Sequence, residues 1–412
     1  MKLKLHILDY ASFAALLVYS ASATITPVCL LTMSKELNFT LSAGGGIEAS
    51  RSMLILLSLF FGGFAAAKIG KVRSLCAGLF GLAAGYAVYA YAPSYPAVLC
   101  ASIIVGASCG IIEGLLNPLV QELHKDDAGR YLNISNAFWS VGVLSTVIVS
   151  GELLTLGISW RLIMAVLSCC SLAVGIFFAA LKKTEQKPKG LKTSSVIRQY
   201  TDCLSSKRFW VFCFMMVLAG GSEGAFTFWS ASYIQVHFNA LPRMGGAGTA
   251  CFAAGMMCMR LASGFLAGQN KLRRLIFFSA AGGALLACAV PFVTSAYVFF
   301  PLLFLAGVSI ACFWPSIQAY AVIRITHLDS TAAFILMSCA GIPGFGLISF
   351  IMGIIGDKAG LNKSFFLVPA LLALLALTVL IERGGYPFFK QRKATAGKRQ
   401  KNLKHRRNLS IL

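Results

Sequence analysis

A carboxylate lies in the middle of an apolar stretch that is long enough to cross a bilayer, GASCGIIEGLLNP, from Gly106 to Pro118. Residues three and four apart share a helix face, so one face carries a small and polar stripe of Gly106, Gly110, Glu113 and Asn117. A charged Glu at the bilayer centre costs on the order of 3 kcal/mol, so such a residue usually has a function. We expect Glu113 to couple proton movement to a solute. The alternative is a protonated side chain that only packs helices together.

Four further apolar stretches carry polar side chains: RYLNISNAFWSVG, GGSEGAFTFWSASY, MMCMRLASG and FWPSIQAY. Amides both donate to and accept from hydroxyl groups. A carboxylate beside aromatic rings suits a sugar, whose C–H face stacks on the rings while its hydroxyls seek acceptors. The side chains that we expect to bind a solute are Asn117, Asn133, Asn136, Glu223, Trp229 and Gln318.

Several polar residues have a second interpretation. Trp229 could belong to the aromatic belt at a membrane surface. Arg260 is either the counter-charge of a carboxylate or a residue whose long apolar stem lets its guanidinium reach the membrane surface. Since Glu48, Arg51 and Glu152 lie near predicted helix ends, we expect them at the interface with water.

The composition places the chain in a membrane rather than in water. Of its 412 residues, 58% are hydrophobic and 12% are charged, and the mean hydropathy is +0.77. Soluble domains carry about twice that charged fraction, about 25%. We therefore predict an all-α, polytopic membrane protein.

Apolar stretches of about twenty residues predict about twelve membrane spans. They lie near residues 9–33, 47–67, 74–92, 95–121, 131–156, 160–181, 209–236, 246–267, 274–292, 296–323, 331–355 and 364–382. We predict four parts: an N-terminal six-helix bundle (residues 1–181), a basic cytoplasmic linker (182–208), a C-terminal six-helix bundle (209–383) and a basic cytoplasmic tail (384–412).

The net charge of +22 does not indicate nucleic acid, because the basic residues concentrate in alternate loops, in the linker and in the tail. This distribution is typical of cytoplasmic segments of membrane proteins. We expect both termini in the cytoplasm and the chain in a bacterial cytoplasmic (inner) membrane, as a monomer. The tail is expected to be solvated, with contact to anionic lipid as the alternative.

The sequence gives no sign of an enzyme, a metal site or a cofactor. The 13 cysteines lie almost all in apolar runs and form no CxxC pair. No nucleophile and base, metal-ligand set or phosphate-binding loop occurs at usable spacing. The histidines lie at the termini or beside loops, so none is expected to be a buried proton relay.

A short segment recurs in both halves. GFAAAKIGKVR (residues 63–73) follows the second predicted span, and GFLAGQNKLRR (264–274) follows the eighth. With the span count and the central linker, this repeat resembles the major facilitator superfamily, whose two halves are related by duplication. That family usually has an acidic residue where this chain has Ala67 and Gly268, so we expect a weaker charge relay in the loop. Candidates for loop gating are Lys68, Gly70, Lys71 and Arg73, with simple membrane anchoring as the alternative for the basic ones.

Within that superfamily, the chain resembles the fucose permease-like branch of fucose, galactose and glucose proton symporters. The fourth span of that branch has a Glu followed by Asn-Pro, as in Glu113, Asn117 and Pro118, and RYLNISNAFWSVG, FWPSIQAYA and CAGIPGFGLISFIMGIIGDKAG are similar to its later spans. The resemblance implies that Glu113 takes the proton and that Asn136, Glu223 and Gln318 meet the substrate. The first span departs from the branch, because its only carboxylate is Asp9 at its start.

These observations favour a secondary active transporter of two six-helix bundles that takes up a small polar solute with protons by alternating access. The expected partners are the solute, protons and the lipid bilayer, and the solute is expected to be a sugar or a sugar derivative. One alternative is a proton-coupled exporter of amphipathic or cationic compounds, for which Glu113 and Glu223 would attract the cation. A non-transporting membrane scaffold or sensor is the third class.

Overall fold

Long apolar helices make up the computed structural model, because a chain in lipid must satisfy its backbone N–H and C=O groups within each helix. The structure describes residues 5–124, 128–181, 193–266 and 272–382. Within these ranges it describes the backbone but not the side chains at 62–68, 128–130, 132, 133, 136, 137, 193–196, 261, 263–266, 330 and 331.

The described chain is helical nearly throughout. In chain order, its helices are α1 (Ile7–Leu37), α2 (Leu41–Ile69), α3 (Lys71–Tyr91), α4 (Tyr95–Leu123), α5 (Ala128–Thr155), α6 (Trp160–Ala180), α7 (Thr193–Ser205), α8 (Lys207–His237), α9 (Pro242–Leu266), α10 (Leu272–Ala289), α11 (Ala296–Ile310), α12 (Phe313–Arg324), α13 (Ser330–Ala359), α14 (Leu361–Ser364) and α15 (Leu367–Ile381). A 3₁₀ turn, Val290–Phe292, follows α10.

Eleven segments of the described chain are long and apolar enough to cross a membrane, with α11 and α12 forming one of them and α14 and α15 another. Helix α9, which is rich in glycine and contains Arg260, is not among the eleven. It occupies the place of the eighth predicted span and packs against α5, α8 and α11. The exposed side chains of the bundles include large apolar ones that suit contact with lipid, such as Phe278, Leu285 and Phe292.

The helices form two bundles. Helices α1 to α6 pack on one another, with α2 against α4 and α3 against α6, while α8 packs with α9, α13 and α15 in the second bundle. The bundles meet where α2 contacts α13 and where α5 contacts α9. The all-α architecture of two helical bundles is thus as predicted, whereas the exact bounds of the four parts stay a prediction. Residues 182–192 of the predicted linker and 383–412, which hold the predicted tail, lie outside the described ranges.

One face of the molecule, called the termini face, contains the start of α1 at Ile7 and the end of α15 at Ile381. The opposite face, called the far face, contains the end of α1 and the start of α2. The bundles are joined at the far face. There the Asp357 carboxylate at the end of α13 accepts hydrogen bonds from the N–H groups of Leu41 (2.8 Å) and Ser42 (2.7 Å). These groups belong to the first turn of α2, where no partner exists within the helix.

A related contact joins α5 to α9 at the far face. The hydroxyl of Thr155 accepts a hydrogen bond from the N–H of Arg243 at 2.9 Å, and the guanidinium of Arg243 lies 3.7 Å from the Glu152 carboxylate. Glu152 is therefore part of a contact between the bundles, in addition to its predicted position at a helix end. Both contacts pair the end of a helix in one bundle with the start of a helix in the other.

The tenth predicted span is broken in the middle of the membrane. Helix α11 ends at Ile310 and α12 begins at Phe313. Pro315 explains the break, because a proline lacks an N–H group and its ring clashes with the carbonyl four residues earlier, which is that of Ala311. The first turns of α12 then carry Trp314 and Gln318 into the interior of the molecule.

A cluster of charges holds the end of the second bundle at the termini face. Glu382 accepts hydrogen bonds from Arg208 (Nε, 3.0 Å) and from the Tyr320 hydroxyl, and Arg324 lies 3.4 Å from it. Burial by itself would raise the pKa of Glu382. The hydrogen bonds from Tyr320 and Arg208 and the charge of Arg324 outweigh burial and hold this pKa below its ordinary value of 4.5.

We expect Glu382→Gln to lower the free energy of unfolding at pH 7 by about 3 kcal/mol, because it breaks a buried charge cluster. A carboxyl whose folded-state pKa is lowered stabilises the fold above its unfolded-state pKa, and this contribution is lost as the pH falls through the folded-state pKa. The difference in melting temperature between wild type and variant should therefore be constant from pH 6 to pH 8 and shrink below about pH 4.5. Asp202→Asn, on the exposed side of α7, is the matched control; an equal loss in both variants would contradict the assignment.

Candidate functional site

A cavity of about 690 Å³ lies between the two bundles and is lined by both. Its lining runs from Glu48 to Leu59 on α2 and from Glu113 to Gln121 on α4, so it extends from the middle of the membrane toward the termini face. The volume is in the range of small-molecule sites. Since the bundles are joined at the far face, the cavity faces the termini side.

Glu113 projects from the middle of α4 into this cavity, and its side chain is exposed there. Tyr19 of α1 lines the same cavity, and the Tyr19 phenol and the charges of Arg260 and Arg51 act on the Glu113 carboxyl. Small residues surround it on α4, where Gly110 and Gly114 bring the helix close to α2. A carboxyl that is accessible from a cavity can gain and lose protons, which a carboxyl packed between helices cannot readily do.

Glu223 and Arg260 form an ion pair on the wall that belongs to the second bundle. The Oε1 atom of Glu223 lies 3.4 Å from Nη2 of Arg260, and the two side chains are 17% and 39% exposed. Trp314 of α12 lines the cavity as well. Arg260 therefore lies beside a carboxylate, and its role as a counter-charge stays a prediction.

A second ion pair lies on the opposite wall. On α2, Nη1 of Arg51 donates to Glu48 Oε1 at 2.9 Å, and both side chains are buried, with 6% and 2% exposed. The sequence interpretation placed these residues at the membrane surface, and this was wrong. Helix α2 begins at Leu41, two turns before the predicted start of the span at residue 47, so both residues lie inside the membrane.

The two predicted amides with described side chains line the cavity as well. Asn117 lies one turn beyond Glu113 on α4, and Gln318 on α12 donates from Nε2 to the Ser338 hydroxyl at 2.9 Å. The side chains of Asn133 and Asn136 lie outside the described part of the structure. Their helix α5 lines the cavity through Trp139, Ser140 and Val143.

Three buried polar atoms of the lining residues have no hydrogen-bond partner in the described structure. They are Arg51 Nε, Asn117 Oδ1 and Glu223 Oε2. A buried polar group without a partner costs about 1–3 kcal/mol, so such groups are rare in folded proteins. One donor and two acceptors therefore lack partners in the described structure, and these three atoms belong to side chains of both bundles.

Trp229, predicted to contact the solute, is not among the residues that line the cavity. Its indole is fully buried and donates to the backbone carbonyl of Ser349 on α13 at 3.0 Å. The residue therefore packs α8 against α13, and it lies neither in the cavity nor in an exposed aromatic belt. The aromatic rings that do line the cavity are Tyr19, Trp139, Phe252, Trp314, Phe334 and Phe345.

We expect Trp229→Phe to lower the free energy of unfolding by about 1 kcal/mol, since one buried hydrogen bond is lost. The apparent affinity for a transported solute should stay unchanged. Thermal unfolding in detergent and a transport titration of the same preparation separate the two effects. A large loss of affinity at unchanged stability would return Trp229 to the binding site.

The predicted gating residues lie at the termini face, between α2 and α3. Gly70 has a positive φ of 97°, which favours glycine, and Lys71 forms an ion pair with Glu122 at the end of α4. Arg73 is exposed, and the Lys68 side chain lies outside the described part. These contacts hold α3 to α4 within one bundle, so a gating role stays a prediction.

A histidine forms a buried pair at the termini face that the sequence interpretation missed. His124 Nε2 lies 2.9 Å from Asp9 Oδ2, and the two side chains are 8% and 0% exposed. The His124 ring stacks on Tyr131. Asp9, the only carboxylate of the predicted first span, therefore ties α1 to the end of α4 and does not reach the cavity.

The cavity collects the three carboxylates Glu48, Glu113 and Glu223 and the two guanidinium groups Arg51 and Arg260. Two of the carboxylates are paired with an arginine, whereas Glu113 has no ion pair among the described contacts. No group of three His, Cys, Asp or Glu side chains that could hold a metal ion occurs in the described ranges.

Two helical bundles around a charged and polar cavity, with eleven apolar segments of membrane length in the described part of the chain, are the architecture of an integral membrane transporter. Residues 11–345 match the sequence family described as Major Facilitator Superfamily, and the chain belongs to this family. The comparison with curated protein sequences gave no match.

Solved structures support the same fold. A mutant of the nucleoside transporter NupG is 14% identical, with a TM-score of 0.75 over 91% of this chain and 98% of that chain. A D-xylose-proton symporter is 12% identical, with a TM-score of 0.73 over 90% and 96%. A second structure of NupG gives 12% identity and a TM-score of 0.72 over 92% and 99%. These matches do not test the resemblance to the fucose permease-like branch, which stays a prediction.

Proposed function

We propose that this protein takes up a small polar solute, a sugar or a sugar derivative, together with protons by alternating access. The observation that carries the proposal is the set of three buried polar atoms without partners in the described structure, Arg51 Nε, Asn117 Oδ1 and Glu223 Oε2, on opposite walls of one cavity. A polyhydroxylated solute both donates and accepts hydrogen bonds, so it can satisfy these atoms when the lining side chains turn toward it and the bundles close around it.

The walls of the cavity suit the rest of such a solute. Trp139 and Trp314 offer ring faces to apolar C–H groups, while Gln318, Ser338 and Thr227 offer further polar atoms. The cavity volume of about 690 Å³ accommodates a monosaccharide or a nucleoside with water. The similar structures include a sugar symporter and nucleoside transporters, and both kinds of solute fit this description.

Glu113 is the proposed proton carrier. Its carboxyl is exposed to the cavity and has no ion pair among the described contacts, so protonation removes a charge without breaking a pair. We propose that Glu113 loads a proton when the cavity faces one side of the membrane and loses it on the other. We further propose that both termini lie in the cytoplasm of a bacterial cell, that the protein acts as a monomer, and that this structure is the inward-facing state.

The test begins with thermal unfolding of the detergent-solubilised protein in the presence of single hexoses, deoxysugars, amino sugars, sugar acids, nucleosides and lipophilic cations. A solute that raises the melting temperature is then tested for uptake into proteoliposomes with an alkaline interior, with and without a protonophore. Uptake of a sugar that the protonophore abolishes supports the proposal. If protons instead move in the direction opposite to a lipophilic cation and no sugar gives a response, the protein is an exporter and the proposal of sugar uptake is wrong.

A further inference from the structure

Arginines from opposite bundles line the cavity into which Glu113 projects. Arg51 is on α2 and Arg260 is on α9, both line the cavity, and the charges of both act on the Glu113 carboxyl. Arg51 donates to Glu48 through Nη1, while its Nε is buried without a partner in the described chain. Nη2 of Arg260 lies 3.4 Å from Oε1 of Glu223, and 39% of the Arg260 side chain is exposed.

A guanidinium has five N–H donors in a planar fork that matches a carboxylate. Neutral sugars are satisfied by amides and hydroxyls and do not require a charged donor. Two guanidinium groups in the centre of a membrane are costly unless they have a use. Their position on walls from both bundles, in the same cavity as the accessible Glu113 carboxyl, is the arrangement expected for a solute that carries an anionic group.

The charge balance of the cavity also favours an anionic solute. Because Glu48 is paired with Arg51 and Glu223 with Arg260, the state of Glu113 sets the net charge. The net charge is one negative when Glu113 is ionised and zero when it is protonated. Binding of a monoanion to the protonated state restores one negative charge, so the loaded and the empty cavity carry the same charge.

We propose that the solute is a monoanionic sugar derivative, a sugar acid, whose carboxylate binds Arg51 and Arg260 while Glu113 is protonated. This inference rests on the proposed function and names its substrate class. One proton and one carboxylate enter together, and release to the other side leaves Glu113 ionised in the empty cavity. The cycle moves no net charge, so a pH gradient drives accumulation and a membrane potential does not.

The titratable and charged groups that act on Glu113 come from several elements. They are Tyr19 on α1, Arg51 on α2 and Arg260 on α9. Glu122 and His124 lie further along α4 at the termini face, where Lys71 and Asp9 are their partners. The described structure therefore places Glu113, and no histidine, at the point where a proton and an anion can exchange.

The test uses wild-type proteoliposomes with radiolabelled galacturonate and gluconate, and with galactose and glucose as the neutral counterparts. Uptake is measured under a pH gradient with the potential clamped to zero by valinomycin and equal potassium, and under a potassium diffusion potential without a pH gradient. We expect the pH gradient to drive accumulation of a sugar acid, and the potential to change its uptake by less than about twofold. A charge-moving symporter gains about 2.3 kcal/mol per 100 mV, which corresponds to nearly fiftyfold.

The variants Arg51→Gln and Arg260→Gln should each weaken the apparent affinity for the sugar acid by about tenfold or more, since a hydrogen bond to a charge is lost. Arg198→Gln, exposed on α7 outside the cavity, is the matched control. If a variant does not fold, the uptake measurements on the wild-type protein still test the inference. Uptake of a neutral hexose driven by both gradients would overturn this inference and keep the proposed function. Failure of every sugar and sugar acid to respond to the pH gradient would overturn both.

Discussion

Glu113→Gln is expected to abolish uphill accumulation of the solute while binding and exchange persist. The amide keeps the shape of the protonated carboxyl but cannot release a proton. The solute-loaded protein can then still alternate between the two sides of the membrane, so exchange continues. Its transport cycle no longer releases a proton, so the proton gradient cannot drive accumulation. The measurement compares gradient-driven uptake with exchange of labelled against unlabelled solute in the same proteoliposomes.

Glu122→Gln is the matched control for that experiment. Glu122 is on the same helix, at its end on the termini face, where its side chain is 59% exposed and pairs with Lys71. The same change of charge outside the cavity should leave both uptake and exchange intact. Full accumulation by Glu113→Gln, or an equal defect in both variants, would contradict the assignment of Glu113 as the proton carrier.

Gly246→Val is expected to force the bundles apart at the far face. Gly246 lies on α9 where it meets α5, and a Cβ atom there would overlap the backbone carbonyl of Val147 and lie against Gly151. Overpacking of this kind costs about 1–3 kcal/mol. A cost of that size changes the ratio of two conformers by about fivefold to 150-fold, so the population of states in which the far face is open should rise.

Spin labels at residues 156 and 241 report on that opening, because both positions are exposed at the far face and belong to different bundles. In a background without reactive cysteines, the distance between the labels should increase in Gly246→Val and the transport rate should fall. Gly282→Val on α10 is the control, because a Cβ atom at Gly282 meets nothing within 4 Å. An unchanged distance in Gly246→Val would mean that the contact between α5 and α9 does not seal the far face.

Helical periodicity was sufficient to predict part of the site. Glu113 and Asn117 share a face of α4, and the structure places both in the cavity. Glu223 and Gln318 follow from the same argument, because a polar side chain in an apolar stretch is costly unless it faces a polar interior. The polar residues that this energetic argument places in the interior are therefore largely the ones that line the cavity.

The ion pair of Glu48 and Arg51 could not be predicted by the same argument. A polar segment with glycines at residues 44–46 precedes the second apolar stretch, so the predicted span began at residue 47. Glu48 and Arg51 therefore appeared to lie at the membrane surface. The helix in fact starts at Leu41, capped by Asp357 from the other bundle. The spacing of three residues between Glu48 and Arg51 was the available signal, because it allows an ion pair within one helix.

Other contacts depend on which helices become neighbours, and a single sequence does not contain this information. Trp229 lies on an aromatic and polar stripe of α8 that suggested a sugar site, but α13 packs over this part of the stripe and supplies the carbonyl of Ser349. His124 is close to a loop in sequence, yet the start of α1 brings the Asp9 carboxylate to it. In both cases a neighbouring helix determined the role of the side chain.

The pH outside weakly buffered, de-energised proteoliposomes, recorded while a solute that stabilises the protein is added, tests the central claim most directly. Symport predicts that a wild-type suspension becomes alkaline outside on addition of the solute, because protons enter with it, and that Glu113→Gln shows no change. If the wild-type protein moves the labelled solute without any change in pH, or if Glu113→Gln gives the same alkalinisation, proton-coupled uptake through Glu113 is wrong.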